Sequence, residues 1–425
     1  MPKILITGNG FDLYHHLPTK YSEFIQVMMK IEKIEEKVNY FFEDFFKDLN
    51  YDEILQRFFK IKNLTFDNND ILFIKNSLIN NVWFQYFKDE LSLESWIDFE
   101  SKIEKVIKST ITFIKKVRLE ILKNPKQYLP NYFSSIIDNN IEIIKILEKL
   151  KLVTLSTSDS GKLTIKISKE FLTCKYDYYI DIDEDKILSY LKDQLDDFKY
   201  IFNYYFDLFI NSFLENSKFL EYENYLKNID YYFTFNYTDT YKKLYKNLRI
   251  KENIFHVHGK CFLEKGNLLP LKINSIVLGF GDIDDTLDNK KFYFPFTKYY
   301  QKLNNNTDYR FIKEIVDEKN DDSWYLYIWG HSLDISDKDY IDEIFEFLLK
   351  KEYNPSYENK CFIIYHDEKS KSNMLLNLLN IRGRNDVELC MRNNKLKFIF
   401  ADDETLNKYF NLKEKRPVIN DPGFF

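Results

Sequence analysis

Close pairs of cysteines are missing from this chain. Cys174, Cys261, Cys361 and Cys390 lie far apart, and none belongs to a CxxC. That excludes a zinc ribbon and a dithiol redox motif, and scattered thiols fit a reducing, cytoplasmic setting. A P-loop is missing too. Gly161-Lys162 lacks both the leading glycine and the following hydroxyl residue of GxxxxGK[ST], which sets aside Walker-type ATP hydrolysis. No apolar run approaches the roughly 18 residues of a membrane helix. The N-terminal apolar run is too short for a signal peptide, and Asp12 follows it closely. Nor is positive charge in excess: 61 Lys and Arg stand against 67 Asp and Glu, a net charge of −6. A protein whose main partner is a nucleic-acid backbone needs a basic surface, so that class is disfavoured. Glycine is nearly absent between Glu23 and Lys227, where Gly161 stands alone.

What is present divides into two textures. With 425 residues, 44% of them hydrophobic, the chain can build a sizeable core. From Glu23 to Lys227, Lys and Glu alternate with Ile, Leu and Phe near the helical period, as in Leu93 to Leu122 and Ile136 to Leu150. One interruption predicts a β-hairpin: Leu152 to Ser156 and Leu163 to Ile167 flank Ser158-Asp159-Ser160-Gly161. The second texture consists of short apolar strands ending in polar residues or glycine. These are Ile4 to Thr7, Tyr231 to Phe235, Ile254 to Val257, Ile276 to Phe280, Trp324 to Trp329 and Cys361 to Tyr365. Helical patterns such as Tyr340 to Leu349 lie between several of them. Strands alternating with helices predict a parallel sheet. The expected fold is therefore α/β, a Rossmann-like parallel sheet built from residues 1–24 and 228–410. A mainly helical insertion at 25–227 interrupts it, and an irregular tail at 411–425 follows.

Ligands on parallel sheets bind at the carboxyl ends of strands, and the unusual polar residues of this chain cluster there. The first strand stops at Gly8-Asn9-Gly10-Phe11-Asp12, with amphipathic helix spacing resuming near Tyr21. Such a turn either connects a strand to a helix or brings backbone close to a pyrophosphate or ribose. Asp12 either accepts a ribose hydroxyl or caps the turn. Thr234-Phe235-Asn236 ends the second strand. The Asn236 amide can hold a ribose hydroxyl or water as donor and acceptor at once, or form an Asx-turn. Asp239 and Thr240 fit ordinary cap positions. His256 and His258 are two apart, the spacing of one strand face, yet no third metal ligand follows by spacing. His258, just before Gly259, suits a general base because histidine titrates near neutrality. Gly330-His331-Ser332-Leu333-Asp334 approaches the G-x-S-x-G elbow of serine hydrolases. Its last glycine is replaced by Asp334, so a nucleotide contact is the more economical reading than a Ser332 nucleophile. Asp334, Asp337 and Asp339 also fit the start of a helix, where the dipole favours negative charge.

Together these segments resemble the bacteriophage abortive infection AbiH family. The resemblance rests on GNGFDLYHHLPTKYSEF at the start, FNYTDTY at 235–241, HVHGK at 256–260 and WGHSLDISDKDYIDEIF at 329–345, with WIDFE, Trp96 to Glu100, inside the helical stretch. More distantly, the α/β portion is similar to sirtuins. Gly8-Asn9-Gly10 and Leu17-Pro18 stand where sirtuins carry a GAG-type loop and a Gly-x-Pro. Thr234-Phe235-Asn236 matches their TxN, His258-Gly259 their catalytic HG, and Gly330-His331-Ser332 a later G-x-S. Two features depart: Thr238 stands where sirtuins have Asp, and the zinc cysteines are absent.

The resemblance implies an anti-phage protein that takes NAD as substrate and cleaves the nicotinamide–ribose bond. Asn236 and His258 would be catalytic. Gly8, Asn9, Gly10, Phe11, Asp12, Thr234, Gly330, His331, Ser332 and Asp334 would bind the nucleotide, with no metal. Expected partners are NAD or a related nucleotide, a phage trigger and a second copy of the chain, with no membrane. The competing readings are a nucleotide-sensing module without catalysis, which Thr238 favours, and a nuclease, against which the acidic balance and the lack of a carboxylate metal cluster stand.

Overall fold

Ile4, Leu5 and Ile6 are fully buried, and their side chains alternate between two separate apolar clusters. Only a strand covered on both faces needs that pattern. In the computed structural model this strand, β1 (Lys3–Thr7), lies in the middle of a six-stranded sheet. The structure describes residues 1–47, 52–61, 64–89, 96–123, 140–157, 163–175, 178–218, 226, 228–245, 250, 253–261, 276–281, 290–305, 307, 310–316, 323–350 and 359–410.

The other strands are β2 (Tyr231–Thr234), β3 (Ile254–His256), β4 (Tyr325–Trp329), β5 (Lys360–Tyr365) and β6 (Leu396–Phe400). Their order is β6-β5-β4-β1-β2-β3, and every pairing is parallel. The chain runs outward from β1 through β2 to β3. It then returns to the other side of β1 and runs outward again through β4, β5 and β6. All six carboxyl ends share one edge, and the direction reverses between β1 and β4. A crevice for ligands forms at such a reversal in open parallel sheets.

The sheet's two faces have different partners. Ile4, Ile6, Phe233, Leu326, Ile328 and Ile363 pack against helices α7 (Lys338–Leu349) and α8 (Glu368–Arg392). Leu5, Tyr232, Tyr327, Trp329 and Ile364 belong to a cluster that continues without a break into the stretch 25–227. That stretch contributes the long helices α3 (Trp96–Lys123) and α4 (Glu184–Tyr205). Phe24, Phe87, Phe99, Phe198 and Phe202 interlock there, with Phe87 and Phe99 ring centroids 4.2 Å apart. Near-continuous aromatic burial of this kind supplies most of the driving force for docking such helices.

Several expectations are refined. The predicted hairpin is present, Val153–Thr157 pairing with Leu163–Ile167 in antiparallel register, while its turn at 158–162 lies outside the described residues. A second antiparallel pair, Leu172–Lys175 with Tyr178–Ile182, and strand β6 were not foreseen. Helix formation resumes at once after Gly8, as the short helix α1 (Asn9–Tyr14), and not first at Tyr21, where α2 (Tyr21–Lys33) begins. The two are separated at His16, which adopts a positive φ of 59°, and at Pro18, whose ring disfavours helix in the residue before it. Ile276 to Phe280 is not a strand. Its backbone groups are taken by single partners: Val277 N–H by the His258 carbonyl, the Val277 carbonyl by the Tyr237 hydroxyl, and both Leu278 groups by the Gln301 amide. The tail from 411 lies outside the described residues. Among the described residues, no helix is long and apolar enough to cross a membrane.

Candidate functional site

The glycine turn after β1 meets the turn after β4 backbone to backbone. Gly8 N–H donates to the Trp329 carbonyl (3.1 Å) and Gly10 N–H to the Gly330 carbonyl (2.9 Å). A Cβ on Gly8 would lie 2.7 Å from Gly330 O, and one on Gly330 would lie 2.2 Å from Phe11 N. Gly330 also needs its positive φ of 70°. The motif glycines thus close the reversal point of the sheet, and these two N–H groups are already engaged. Phe11 is core: its ring packs against His15, Trp329 and Tyr245, the last residue of helix α5 (Thr240–Tyr245). Asn9 Nδ2 donates to the Thr19 carbonyl at 3.1 Å.

Asp12 lies beneath this turn, almost fully buried. The Thr238 hydroxyl donates to its Oδ2 (2.8 Å), and Thr240 Oγ1 donates in turn to Thr238 Oγ1 (3.0 Å). Its Oδ1 has no hydrogen-bond partner among the described residues. Burial pushes the carboxyl up to about 6, with the Thr240, Thr238 and Asn236 side chains partly offsetting it. A carboxyl that titrates near neutrality in a strand-end site can gain and lose a proton during a reaction.

Asn236 is placed by two contacts. Its N–H donates to Thr234 Oγ1 (3.0 Å), and its Nδ2 donates to the Gly8 carbonyl (3.0 Å). Thr234 Oγ1 also accepts from Thr7 Oγ1 (3.0 Å), so a row of hydroxyls ties β1 to β2 just below the amide. Phe235 points the other way and forms the wall between two imidazoles. Its ring centroid is 5.0 Å from that of His258 and 4.2 Å from that of His331.

Those imidazoles converge on Asp337. His258 Nε2 stands 3.3 Å from Asp337 Oδ1, and His331 Nε2 stands 3.5 Å from Asp337 Oδ2. The Leu333 N–H donates to His331 Nδ1 (2.9 Å), which leaves the ring proton of a neutral His331 on Nε2, facing the carboxylate. Burial, reinforced by the Lys298 charge, lowers His258 to about 4 against the pull of Asp337. At physiological pH it is therefore a neutral imidazole. Asp337 was expected to serve the helix that follows. It does occupy the position before α7, but its side chain makes no capping bond. Asp334 has the capping role instead, its Oδ1 accepting from Ser336 N–H at 3.0 Å.

Lys298, at the start of α6 (Lys298–Asn305), completes this group. Its buried ammonium lies 3.0 Å from each of Asp337 Oδ1, Ser336 Oγ and Glu100 Oε2. Three acceptors use all three of its N–H bonds. The Lys298 charge holds Asp337 well below the usual carboxylate range, while burial raises Glu100 to about 7. Sequence reasoning had no signal for Lys298, a single lysine among aromatic residues. Glu100, in the WIDFE segment, reads from the sequence as a helix-surface glutamate more readily than as a residue that reaches the site.

The remaining expected residues separate. Ser332 is exposed, and it is its carbonyl that accepts from Asn377 Nδ2 (3.1 Å). Its neighbour His331 turns back onto Leu333 and Asp337, which is not the arrangement of a serine nucleophile and its base. His256 and His258 do not form a metal pair, because the strand ends between them and Gly259 turns with φ 81°. His256 Nε2 faces Asp239 Oδ1 (3.2 Å) and Lys260 Nζ binds Asp239 Oδ2, so Asp239 is an ion-pair partner and not a simple cap. Among the described residues, no group of three or more His, Cys, Asp or Glu is placed to hold a metal ion.

Two groups therefore lie at the carboxyl edge of the sheet: Asp12 and Asn236 around the glycine turn, and His258, His331, Asp337, Lys298 and Glu100 beyond Phe235. No curated protein and no solved structure matches this chain. A family model does, that of bacteriophage abortive infection AbiH, over residues 4–357, a span that holds every residue of this site. The chain belongs to the AbiH family of abortive-infection proteins.

Proposed function

We propose that this protein acts in anti-phage abortive infection by binding NAD at the strand-end site and cleaving its nicotinamide–ribose bond. The observation that carries the reading is that a neutral histidine, a buried amide and a carboxyl poised near neutrality all stand just past the carboxyl ends of β1, β2 and β3, beside the reversal of the sheet order. The all-parallel order β6-β5-β4-β1-β2-β3 supports a Rossmann-like reading of the sheet, a nucleotide ligand and a distant relation to sirtuins. In the reaction the C1′–N bond of the nicotinamide ribose breaks, and its electron pair leaves with nicotinamide. Water attacks the oxocarbenium-like C1′ and passes a proton to His258. Asp337 then stabilises the imidazolium. Asn236 and Asp12 hold ribose hydroxyls or the attacking water. The products are nicotinamide and ADP-ribose, and NAD depletion arrests the infected cell. Because Gly8 and Gly10 donate to Trp329 and Gly330, their approach to a pyrophosphate would be through their α-carbons.

Purified full-length protein, with and without lysate from infected cells, should convert NAD to nicotinamide and ADP-ribose by mass spectrometry. His258→Ala and Asn236→Ala should each slow release by about 100-fold or more. Wild-type rates in both variants would defeat the site assignment. The closed Asp12–Thr238–Thr240 network favours a second reading, a sensor that binds without turnover. Calorimetric NAD binding with no product in any state would select it.

A further inference from the structure

Glu100 comes from the helical stretch, yet it reaches the histidine cluster at the carboxyl edge of the sheet. Its neighbour Phe99 fixes it there. Phe99 is fully buried, with ring centroids 4.2 Å from Phe87, 5.0 Å from Tyr21 and 5.6 Å from Phe198. A helix held by that many rings has little freedom to shift, so the carboxylate beside Lys298 is part of a rigid arrangement. The contacts then run in series. Glu100 Oε2 to Lys298 Nζ is 3.0 Å, Lys298 Nζ to Asp337 Oδ1 is 3.0 Å, and the same Oδ1 to His258 Nε2 is 3.3 Å.

We propose that Glu100 is a positioning residue for His258, acting through Lys298 and Asp337, so that the helical stretch and the sheet build one site. The two carboxylates share a single ammonium. When Glu100 is ionised it draws on Lys298, and Asp337 has more of its charge available for the imidazole. When Glu100 is protonated, Lys298 is committed to Asp337, and His258 faces a weaker acceptor. The charged and titratable groups around this chain of contacts act in the same place. Lys298 and Asp337 face both ends, His331 and the Tyr340 phenol face Asp337, Lys302 faces His258, and the Tyr237 phenol faces Glu100. The raised titration of Glu100, near 7, places the exchange within the physiological range. The consequence for turnover rests on the proposed NAD chemistry, whereas the coupling itself does not.

The test follows the imidazole nitrogens of ¹⁵N-histidine-labelled full-length protein across pH, with the His258 signals identified by their loss in His258→Gln. In the wild type, His258 should show its own titration well below neutrality and a second inflection near pH 7, when Glu100 gains its proton. That inflection should vanish in Glu100→Gln and persist in Glu104→Gln, one turn further along the same helix. Glu100→Asp, which shortens the side chain by one methylene, should move it. A wild-type His258 without the inflection, or an inflection that survives Glu100→Gln, overturns the proposal. If the inflection behaves as expected while NAD is never cleaved, the NAD reading fails and the coupling stands. If NAD is cleaved and Glu100→Gln alters neither the inflection nor the pH profile of the rate, the coupling fails and the NAD reading stands.

Discussion

The hydroxyl of Thr238 donates to Oδ2 of Asp12 across 2.8 Å, joining the loop after β2 to the helix after β1 over 226 residues of sequence. Thr238 stands where the sirtuin pattern of the proposed distant relation would have Asp, and the hydroxyl has a physical role here. A carboxylate at position 238 would face the buried Asp12 carboxyl directly, and two carboxyls at that distance cannot both ionise. A hydroxyl donates instead, and Thr240 continues the row. Thr238→Val keeps the shape and removes the donor. It should cost about 1–3 kcal/mol at pH 8, where Asp12 is ionised, and less at pH 5, where the carboxyl is protonated. Urea denaturation at the two pH values measures the difference. An equal loss at both would show that Asp12 does not titrate in this range.

Asp12 itself makes the stability of the fold depend on pH. Its carboxyl titrates at about 6 when folded, against 3.8 as the ordinary value. The folded state therefore holds the proton more tightly than the unfolded state. The stabilisation is fully present below about pH 4, and it is lost as pH rises through 6, with the ionised form costing on the order of 3 kcal/mol. Asp12→Asn carries no such proton. Its melting temperature, compared with that of the wild type between pH 4 and pH 8, should gain relative to the wild type as pH rises. A parallel pair of curves would contradict the assignment.

The turn after β4 depends on a missing side chain more than any other described position. Gly330→Ala would force Cβ to within 2.2 Å of Phe11 N at a φ of 70°. It should lose several kcal/mol, since both the strained backbone and the clash must be relieved by parting β1 from β4. Gly383 has a similar φ of 76° with nothing within 4 Å of its added Cβ. Gly383→Ala should cost about 1–3 kcal/mol, the backbone preference alone. Chemical denaturation of the two variants separates crowding from conformation.

How much of this was legible beforehand follows from the range of each interaction. Strand β1 and the parallel class could be read because apolar alternation and strand-end glycines are local signals. The false strand at Ile276 to Phe280 has the same apolar signal, and only distant partners, Gln301 and Tyr237, decide that it stays a loop. Strand β6, Leu396–Phe400, has two lysines just before or within it and lies at the sheet edge, so its pattern is diluted. At the site, Asn236 and His258 stood out as polar residues punctuating apolar strands. Asp337 is visible too, yet its place just before a helix reads first as an N-terminal helix charge, because helix-start acids are common. Lys298 and its bond to Glu100 connect segments some 200 residues apart, and no spacing rule reaches that far.

Lys298 offers the sharpest test of the cluster's energetics. Lys298→Met removes the ammonium bonded to both Asp337 and Glu100 and leaves two buried carboxyls without it. Breaking a buried pair by deleting one partner costs about 3–5 kcal/mol, mostly from the stranded charge. The loss should be largest at pH 8, where Glu100 is ionised, and smaller at pH 6, below its titration near 7. Adding Glu100→Gln removes one stranded charge, so the double variant should be more stable than Lys298→Met alone at pH 8, and by more than Glu100→Gln gains in the wild-type background, where the carboxylate keeps its ammonium. That excess, measured by a double-mutant cycle in denaturant, is expected only if Glu100 and Lys298 interact directly in the folded chain. Additive effects would mean that the two side chains are stabilised independently and that the sheet and the helical stretch meet here by packing alone.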